Sequence, residues 1–152
     1  MRRGYFPNDK GIPPLRAQVT RTVRFEETDQ LAIVWHGRYP SYLEDARTVL
    51  GDRYGFGYLD FYKHRVVTPI KQIHLDYVRP LRFSETVTIE AALHWSDAAR
   101  INIAYAITDV NGLVTTRGYT VQVMLDLSFN LLLVAPPFFE EFKQKWLKGD
   151  LT

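Results

Sequence analysis

Five runs of this chain alternate apolar and polar residues, and one stretch between them repeats its apolar residues every third or fourth position. That contrast limits the fold more than any other feature. A period of two builds half-buried strands, whereas a period near 3.6 builds a helix with one apolar stripe. The helical stretch lies within 37–54, where Tyr39, Tyr42, Leu43, Ala46, Val49, Leu50 and Tyr54 form the stripe, and Gly55 and Gly57 end it. Two signals compete for its start. Pro40 suits a first turn opening near Gly37, while Ser41 and Glu44 have the spacing of a capping box.

One alternating run precedes the helix: in 17–25, Ala17, Val19, Val23 and Phe25 share a face. Four follow it. Ile73, Leu75 and Tyr77 alternate in 70–79; Val87, Ile89, Ala91, Leu93 and Trp95 in 85–95; Ile101, Ile103, Tyr105 and Ile107 in 100–109. In 113–126 the apolar face is Tyr119, Val121, Val123 and Leu125, and Asn111-Gly112 supplies the hairpin before it. Residues 136–148 form a short C-terminal helix with Phe138, Phe139, Phe142 and Trp146 on its stripe. An antiparallel sheet with one polar face covers something with the other, and the central helix is the only element long enough to be covered. The expected class is α+β, a curved antiparallel sheet around one helix.

A chain of 152 residues, 46% apolar, suits one domain with a real core. Residues 1–16, with Pro7, Pro13, Pro14, Gly4 and Gly11, are expected to be a flexible basic arm; 17–135 is the main domain, and the helix within 136–152 packs on it. The first 24 residues hold six Lys and Arg against one acid, a charge able to touch phosphate but more ordinary in a solvated tail. The absence of cysteine excludes disulfide, thiolate-metal, iron–sulfur and cysteine-nucleophile chemistry. No run approaches about 18 apolar residues, and the N-terminus lacks a signal-like apolar stretch, so a cytoplasmic protein without an integral membrane segment is expected.

The chemical candidates are few. His36, His64, His74 and His94 show no zinc spacing, and His74 and His94 fall on polar strand faces as surface residues. There is no GxSxG motif, and Gly55-Phe56-Gly57 is not a dinucleotide loop. The outward strand positions are Thr, Gln, Glu, His and Asp, which disfavours nucleic acid. What remains is the segment from Arg24 to Tyr39. Glu26 and Glu27 are explained as caps near the helix start. Asp29 stands about seven residues before the helix opens, too far to cap it, yet a tight loop could turn it toward the amides near His36. A carboxylate beside main-chain donors can cleave an acyl bond, the amides holding the developing oxyanion.

The stretch FEETDQLAIVWHGRYPSYLEDAR resembles the 4-hydroxybenzoyl-CoA thioesterase family of the hotdog fold, including its Tol-Pal-associated acyl-CoA thioesterase branch. Asp29, Ile33, Val34, Trp35, His36, Tyr39, Tyr42 and Glu44, with Ala46-Arg47, stand where that pattern asks, and Val67-Thr68-Pro69-Ile70 with Tyr77-Val78-Arg79-Pro80 is similar too. The resemblance, covering roughly 17–135, implies a five-stranded antiparallel sheet around a long helix. It implies a homodimer or homotetramer with each active site between two subunits, and no metal or redox cofactor, coenzyme A entering as part of the substrate. Asp29 would be the catalytic carboxylate and the His36 amide the donor to the thioester carbonyl. Tyr39, Glu44, Thr68 and Arg100 would bind substrate. For two of these a structural role competes: Thr68 capping a turn before Pro69, and Glu44 completing the Ser41 box.

Two departures stand out. Ala32 occupies the family's glycine position, which costs about 1 kcal/mol if φ there is positive. The basic residues for the coenzyme phosphates thin to Arg100, with Arg117 and Lys63 as possible helpers. As a nucleophile an ionised Asp29 needs no partner base; as a general base it would need Glu26 and Glu27, or burial. The expected activity is hydrolysis of an acyl-CoA to acid and free coenzyme A. The alternatives are a non-catalytic acyl-CoA-binding hotdog protein and a hydratase or dehydratase using His36.

Overall fold

A computed structural model describes residues 4–151. Its elements in chain order are β1 (Leu15–Thr22), α1 (Tyr39–Tyr54), α2 (Tyr58–Lys63), β2 (Val66–Val67), β3 (Ile70–Tyr77), β4 (Thr86–His94), β5 (Arg100–Thr108), β6 (Val114–Val123), β7 (Leu125–Asp126) and α3 (Pro137–Lys148). Five strands form one antiparallel sheet in the order β1-β4-β5-β6-β3, and β2 pairs with β7 in a two-stranded ribbon. The long helix lies on one face of the sheet, where Tyr42, Ala46 and Leu50 meet Ile89, Ile101, Ile103 and Ile107 in the core. Short helical turns at Phe25–Glu27 and His36–Arg38 flank the loop ahead of α1.

The start of α1 follows the proline signal. Pro40 sits in its first turn, and Ser41 Oγ donates to the Arg38 carbonyl at 2.7 Å from inside the helix, so no Ser41–Glu44 capping box forms. Gly55 closes α1 in the left-handed conformation that a side chain resists. The structure adds α2, which alternation and stripe did not reveal: it is six residues long, with Asp60 accepting the Gly57 amide at 2.8 Å.

One strand face is the reverse of the sequence expectation. In β6 the buried inward residues include Thr116, Thr120 and Gln122, while Tyr119 lies half-exposed outside. The inward polar groups are tolerated because α1 and β5 supply partners: Arg47 Nε donates to Gln122 Oε1 at 2.8 Å, and Tyr105 meets Thr120 at 3.4 Å. Gly118 is needed beside them, since a Cβ there would come within 2.4 Å of the His74 carbonyl on β3. Phe25, placed with the core face of the first strand, instead stands exposed in its short helical turn against Phe83.

The arm is not free over its described part. Tyr5 packs on His74 and Tyr119, Phe6 on His94 and Tyr119, and Lys10 pairs with Asp97 at 2.7 Å. These contacts hold it on the outer sheet face and half-bury His94, whose pKa burial lowers. Arg2 and Arg3, part of its expected basic character, lie outside the described residues. At the other terminus Phe139, Phe142 and Trp146 of α3 are buried, and the Trp146 indole donates to the Pro13 carbonyl at 3.0 Å.

Candidate active site

The loop before α1 is a braced hairpin. Thr28 pairs with Val34, the Asp29 amide donates to the Ile33 carbonyl at 2.9 Å, and the Ala32 amide returns to the Asp29 carbonyl at 3.0 Å. Asp29 Oδ1 accepts the Leu31 amide at 2.8 Å. Ala32 takes φ +60°, the left-handed value that the turn demands and that glycine would meet without strain. The same construction recurs twice. Asp109 opens a turn with Gly112 at φ +77°, and Asp126 opens one with Phe129 at φ +63°. In those turns the aspartate Oδ1 accepts two amides, from residues two and four ahead; Asp29 accepts one. Its Oδ2 makes no hydrogen bond among the described residues.

The base of this hairpin is fixed by Glu27, which is 3% exposed. Its carboxylate pairs with Arg21, accepts the Arg24 amide at 2.9 Å and accepts the Tyr42 hydroxyl at 3.1 Å. Burial alone would raise the Glu27 pKa, but the Arg24 amide and the Arg21 guanidinium outweigh it and hold the group below the ordinary carboxylate range. Arg21 also stacks over the Tyr42 ring at 3.7 Å and reaches Asp45 at 2.9 Å. Glu27 is therefore a buried tether between β1 and α1 and not a cap of that helix. Glu26 remains exposed and weakly paired with Arg24 at 3.8 Å.

From Val34 the chain runs directly into the helix. The Trp35 amide donates to the Glu27 carbonyl at 2.9 Å, and the helical turn at His36–Arg38 continues into α1. The first amides of a helical run have no acceptor within it, so those of His36 and Gly37 open the mouth. The Trp35 ring folds over Gly37, where any Cβ would lie 2.3 Å from the indole. Tyr77, at the far end of β3, donates its hydroxyl to the His36 carbonyl at 2.9 Å and fixes the mouth against the edge of the sheet. The hairpin register sets Asp29 opposite Ile33, three residues ahead of His36 in the chain. Beside them Leu31 is 76% exposed and Trp35 is largely exposed too.

The remaining expected site residues scatter. Tyr39 is buried in the core, its hydroxyl engaged by Leu81 and Thr116 and its ring against Tyr77, so it supports the mouth from behind and faces no ligand surface in the chain. Glu44 and Thr68 lie together toward the opposite end of β3. Glu44 accepts the Tyr58 hydroxyl at 3.0 and 2.9 Å; Thr68 is buried, its carbonyl taking the Gln122 side-chain amide at 2.5 Å while its Oγ1 has no partner among the described residues. Neither plays the structural role first considered for it.

Arg100 opens β5 beside a cavity of about 400 Å³ walled by Val123, Leu131 and Leu133. Its companion there is Lys71, a cation the sequence reading passed over. Arg117 is paired in register with Asp76 and Ala106 at the other end of the sheet, and Lys63 ends α2, so the expected helpers do not converge on Arg100. The pairing that sequence reasoning missed is Tyr58 with Glu44; its one signal was a tyrosine directly after the helix-ending glycines. Among the described residues no three His, Asp or Glu side chains converge as a metal-binding group would.

Comparison with known proteins gives one consistent relationship. Residues 23–147 match the family described as the Thioesterase-like superfamily. A Bacillus subtilis (strain 168) protein named "Putative acyl-CoA thioesterase YneP" is 36% identical over 97 residues, 64% of this chain and 60% of that protein. The chain thus aligns with under two thirds of that relative's length. Among solved structures, the DHNA-CoA thioesterase of Staphylococcus aureus is similar with a TM-score of 0.79 at 22% identity, covering 89% of this chain and 93% of that one. The 1,4-dihydroxy-2-naphthoyl-CoA thioesterase of Synechocystis is similar with a TM-score of 0.73 at 14% identity, covering 88% and 96%. At these identities the likeness is one of fold: the hotdog thioesterase fold, with its antiparallel sheet and long helix.

Proposed function

This chain belongs to the Thioesterase-like superfamily, and from that premise we propose that it hydrolyses an acyl-CoA thioester to free acid and coenzyme A, with Asp29 as its catalytic carboxylate. The observation that carries the assignment is the loop ahead of α1. A buried tether and a braced turn hold Asp29 with one oxygen unbonded, and the strand returning from it enters the helix mouth within two residues of Val34. A thioester held between Asp29 and His36 would turn its carbonyl carbon toward the carboxylate and its oxygen toward the helix amide. The carboxylate attacks the carbon, the amide bears the growing negative charge, and thiolate leaves without needing a strong acid. One such preorganised donor is worth roughly 2.7–4 kcal/mol at the transition state. Water then releases the acid from the acyl-carboxylate anhydride and restores Asp29.

The working unit in this reading is a dimer. β3 is an edge strand, its apolar Ile70, Ile73 and Tyr77 are exposed, and its outer backbone edge is unpaired among the described residues. Antiparallel pairing of β3 with its copy brings the Ile70 end of one subunit to the Tyr77 end of the other. Glu44, Tyr58 and Thr68 of one copy then come beside the Asp29–His36 mouth of its partner, supplying a wall that a single chain leaves open at Leu31 and Trp35.

Asp29→Asn tests the assignment on a panel of acyl-CoAs with thiol detection. Retaining the side chain's size while removing its charge should lower kcat by at least about 100-fold, with the thermal midpoint held within a few degrees because Oδ1 can still accept the Leu31 amide. Turnover within a few-fold of wild type would remove Asp29 from the mechanism.

A further inference from the structure

The hairpin that follows β7 projects apolar side chains that the described residues leave exposed. Leu125 pairs with Val67 on one edge and with Leu131 on the other, and the Phe129 amide donates to the Asp126 carbonyl at 3.0 Å, so the chain folds back in a tight turn. Leu127, Phe129, Leu131, Leu133 and Val134 stand exposed on this turn and the segment after it, Phe129 at 74% and Leu133 at 83%. Single apolar side chains on a surface are ordinary; five within 127–134 form a patch. Leu131 returns on the side of β7 away from β2, so pairing two copies along the β3 edge does not cover the loop.

Two independent features bear on what covers it. Phe129 holds φ +63° at the same position of the aspartate turn that Gly112 fills at φ +77°. A bulky side chain in the left-handed region costs backbone free energy, and here little burial within the chain offsets that cost. Strain retained at an exposed aromatic points to a role outside the fold. The second feature is charge. Lys71 and Arg100 line the cavity beside Leu131 and Leu133, while Lys63 and Arg65 lead into Val66, the partner of Asp126. All four cations are exposed, and none forms an ion pair among the described residues. The loop's own carboxylate, Asp126, is turned into the hairpin, Oδ1 accepting the Ser128 and Asn130 amides and Oδ2 the Asn130 side chain. An apolar tip ringed by cations complements a bilayer with anionic headgroups, where apolar side chains enter the acyl boundary and cations stay at phosphate level. A groove on another protein offers the tip apolar contact but no continuous layer of negative charge.

We propose that the 127–134 loop docks the protein on an anionic lipid bilayer, Phe129, Leu133 and Val134 entering the interface while the four surrounding cations face the headgroups. The contact is peripheral and reversible: among the described residues no helix is long and apolar enough to cross a membrane. Each cation near such a surface contributes about fivefold to partitioning, and the apolar side chains contribute in proportion to the area they bury. The loop is separate from the Asp29 hairpin ahead of α1, so docking does not depend on thioester chemistry.

The test is flotation of the full chain with vesicles of phosphatidylcholine alone and of equal parts phosphatidylcholine and phosphatidylglycerol, at low and high salt. Wild type should partition onto the anionic vesicles at least about tenfold better than onto the neutral ones, and high salt should remove that preference. Lys71→Gln should weaken binding to the anionic vesicles about fivefold. Leu133→Ser and Phe129→Gly should each weaken it by about fivefold or more. Phe129→Gly also separates docking from folding, because glycine relieves the turn: it should melt no lower than wild type while losing the bilayer. A wild type that ignores the anionic vesicles, or binding that both apolar variants leave unchanged, would overturn the proposal. Light scattering without lipid should show the same mass for all variants. A smaller particle for Leu133→Ser or Phe129→Gly would make the loop a contact between copies and would overturn lipid docking.

Discussion

Ala32→Gly should make the protein more stable, and the structure says by how much. Ala32 holds φ +60° as the fourth residue of the Asp29 turn, a conformation costing an alanine about 1–2 kcal/mol. Glycine removes that cost but gives the unfolded chain more freedom, which returns about 0.4–1 kcal/mol. Ala32 is exposed, so its methyl group contributes little burial to set against the change. The net gain is on the order of 0.5–1 kcal/mol, which for a chain of this length raises the thermal midpoint by about 1–4 °C. Gly112 provides the reverse experiment in the same turn type: it sits at φ +77°, and a Cβ added there meets nothing within 4 Å. Gly112→Ala should therefore lose a similar amount for purely backbone reasons. Urea and thermal denaturation of the two variants beside wild type measure both terms. An Ala32→Gly protein less stable than wild type, or a Gly112→Ala protein more stable, would refute the assignment of strain to the left-handed position.

The Glu27 tether carries a signed pH dependence. Its folded pKa lies below the ordinary carboxylate range, so its stabilisation is present above the unfolded pKa and is lost as pH falls through the depressed folded value. Glu27→Gln should cost roughly 1.5–3 kcal/mol at pH 7 and flatten the acid limb of a midpoint-against-pH curve; an acid limb identical to wild type would contradict the tether. Ile73→Glu places a charge on the exposed edge strand, where Ile73 is 42% exposed. It should yield a monomer by light scattering with the fold intact by circular dichroism, and hydrolysis should fall with the dimer; a variant that keeps its mass and its activity would sink the β3 pairing.

The parts of the fold set by periodicity were legible, and the parts set by long-range partners were not. α1, β4 and β5 follow their stripes because each buries an unbroken apolar face, as Val87, Ile89, Ala91 and Leu93 do on β4. β6 defeats the same rule. Its inward Thr116, Thr120 and Gln122 look like a solvent face until Arg47 and Tyr105 arrive from elsewhere in the chain to satisfy them, and no local pattern announces that. Glu27 misleads in the same way, since its partner Arg21 comes from the preceding strand and its third contact from Tyr42, fifteen residues on. Short elements escaped too: α2 has too few residues to show a stripe. At the candidate site the Asp29-to-His36 spacing was legible, but the Tyr58–Glu44 pair needed the fold, because the two residues stand fourteen apart on different helices.

The three aspartate turns show how one side chain can be structural and still be left for chemistry. At Asp126 the turn engages both carboxylate oxygens, two amides on Oδ1 and the Asn130 side chain on Oδ2 at 3.1 Å, and at Asp109 two amides share Oδ1. Asp29 occupies the same first position with a single amide on one oxygen. That bond fixes the direction of the carboxylate without using up its second oxygen. Rigidity in the loop comes instead from below, through Glu27, Arg21 and Tyr42, which are too buried or too engaged to react. A nucleophile must be oriented yet under-bonded, since every donor that stabilises its charge also lowers its reactivity. In the proposed mechanism the two tasks divide between Glu27 and Asp29, two residues apart in one hairpin, with side chains of the same chemistry.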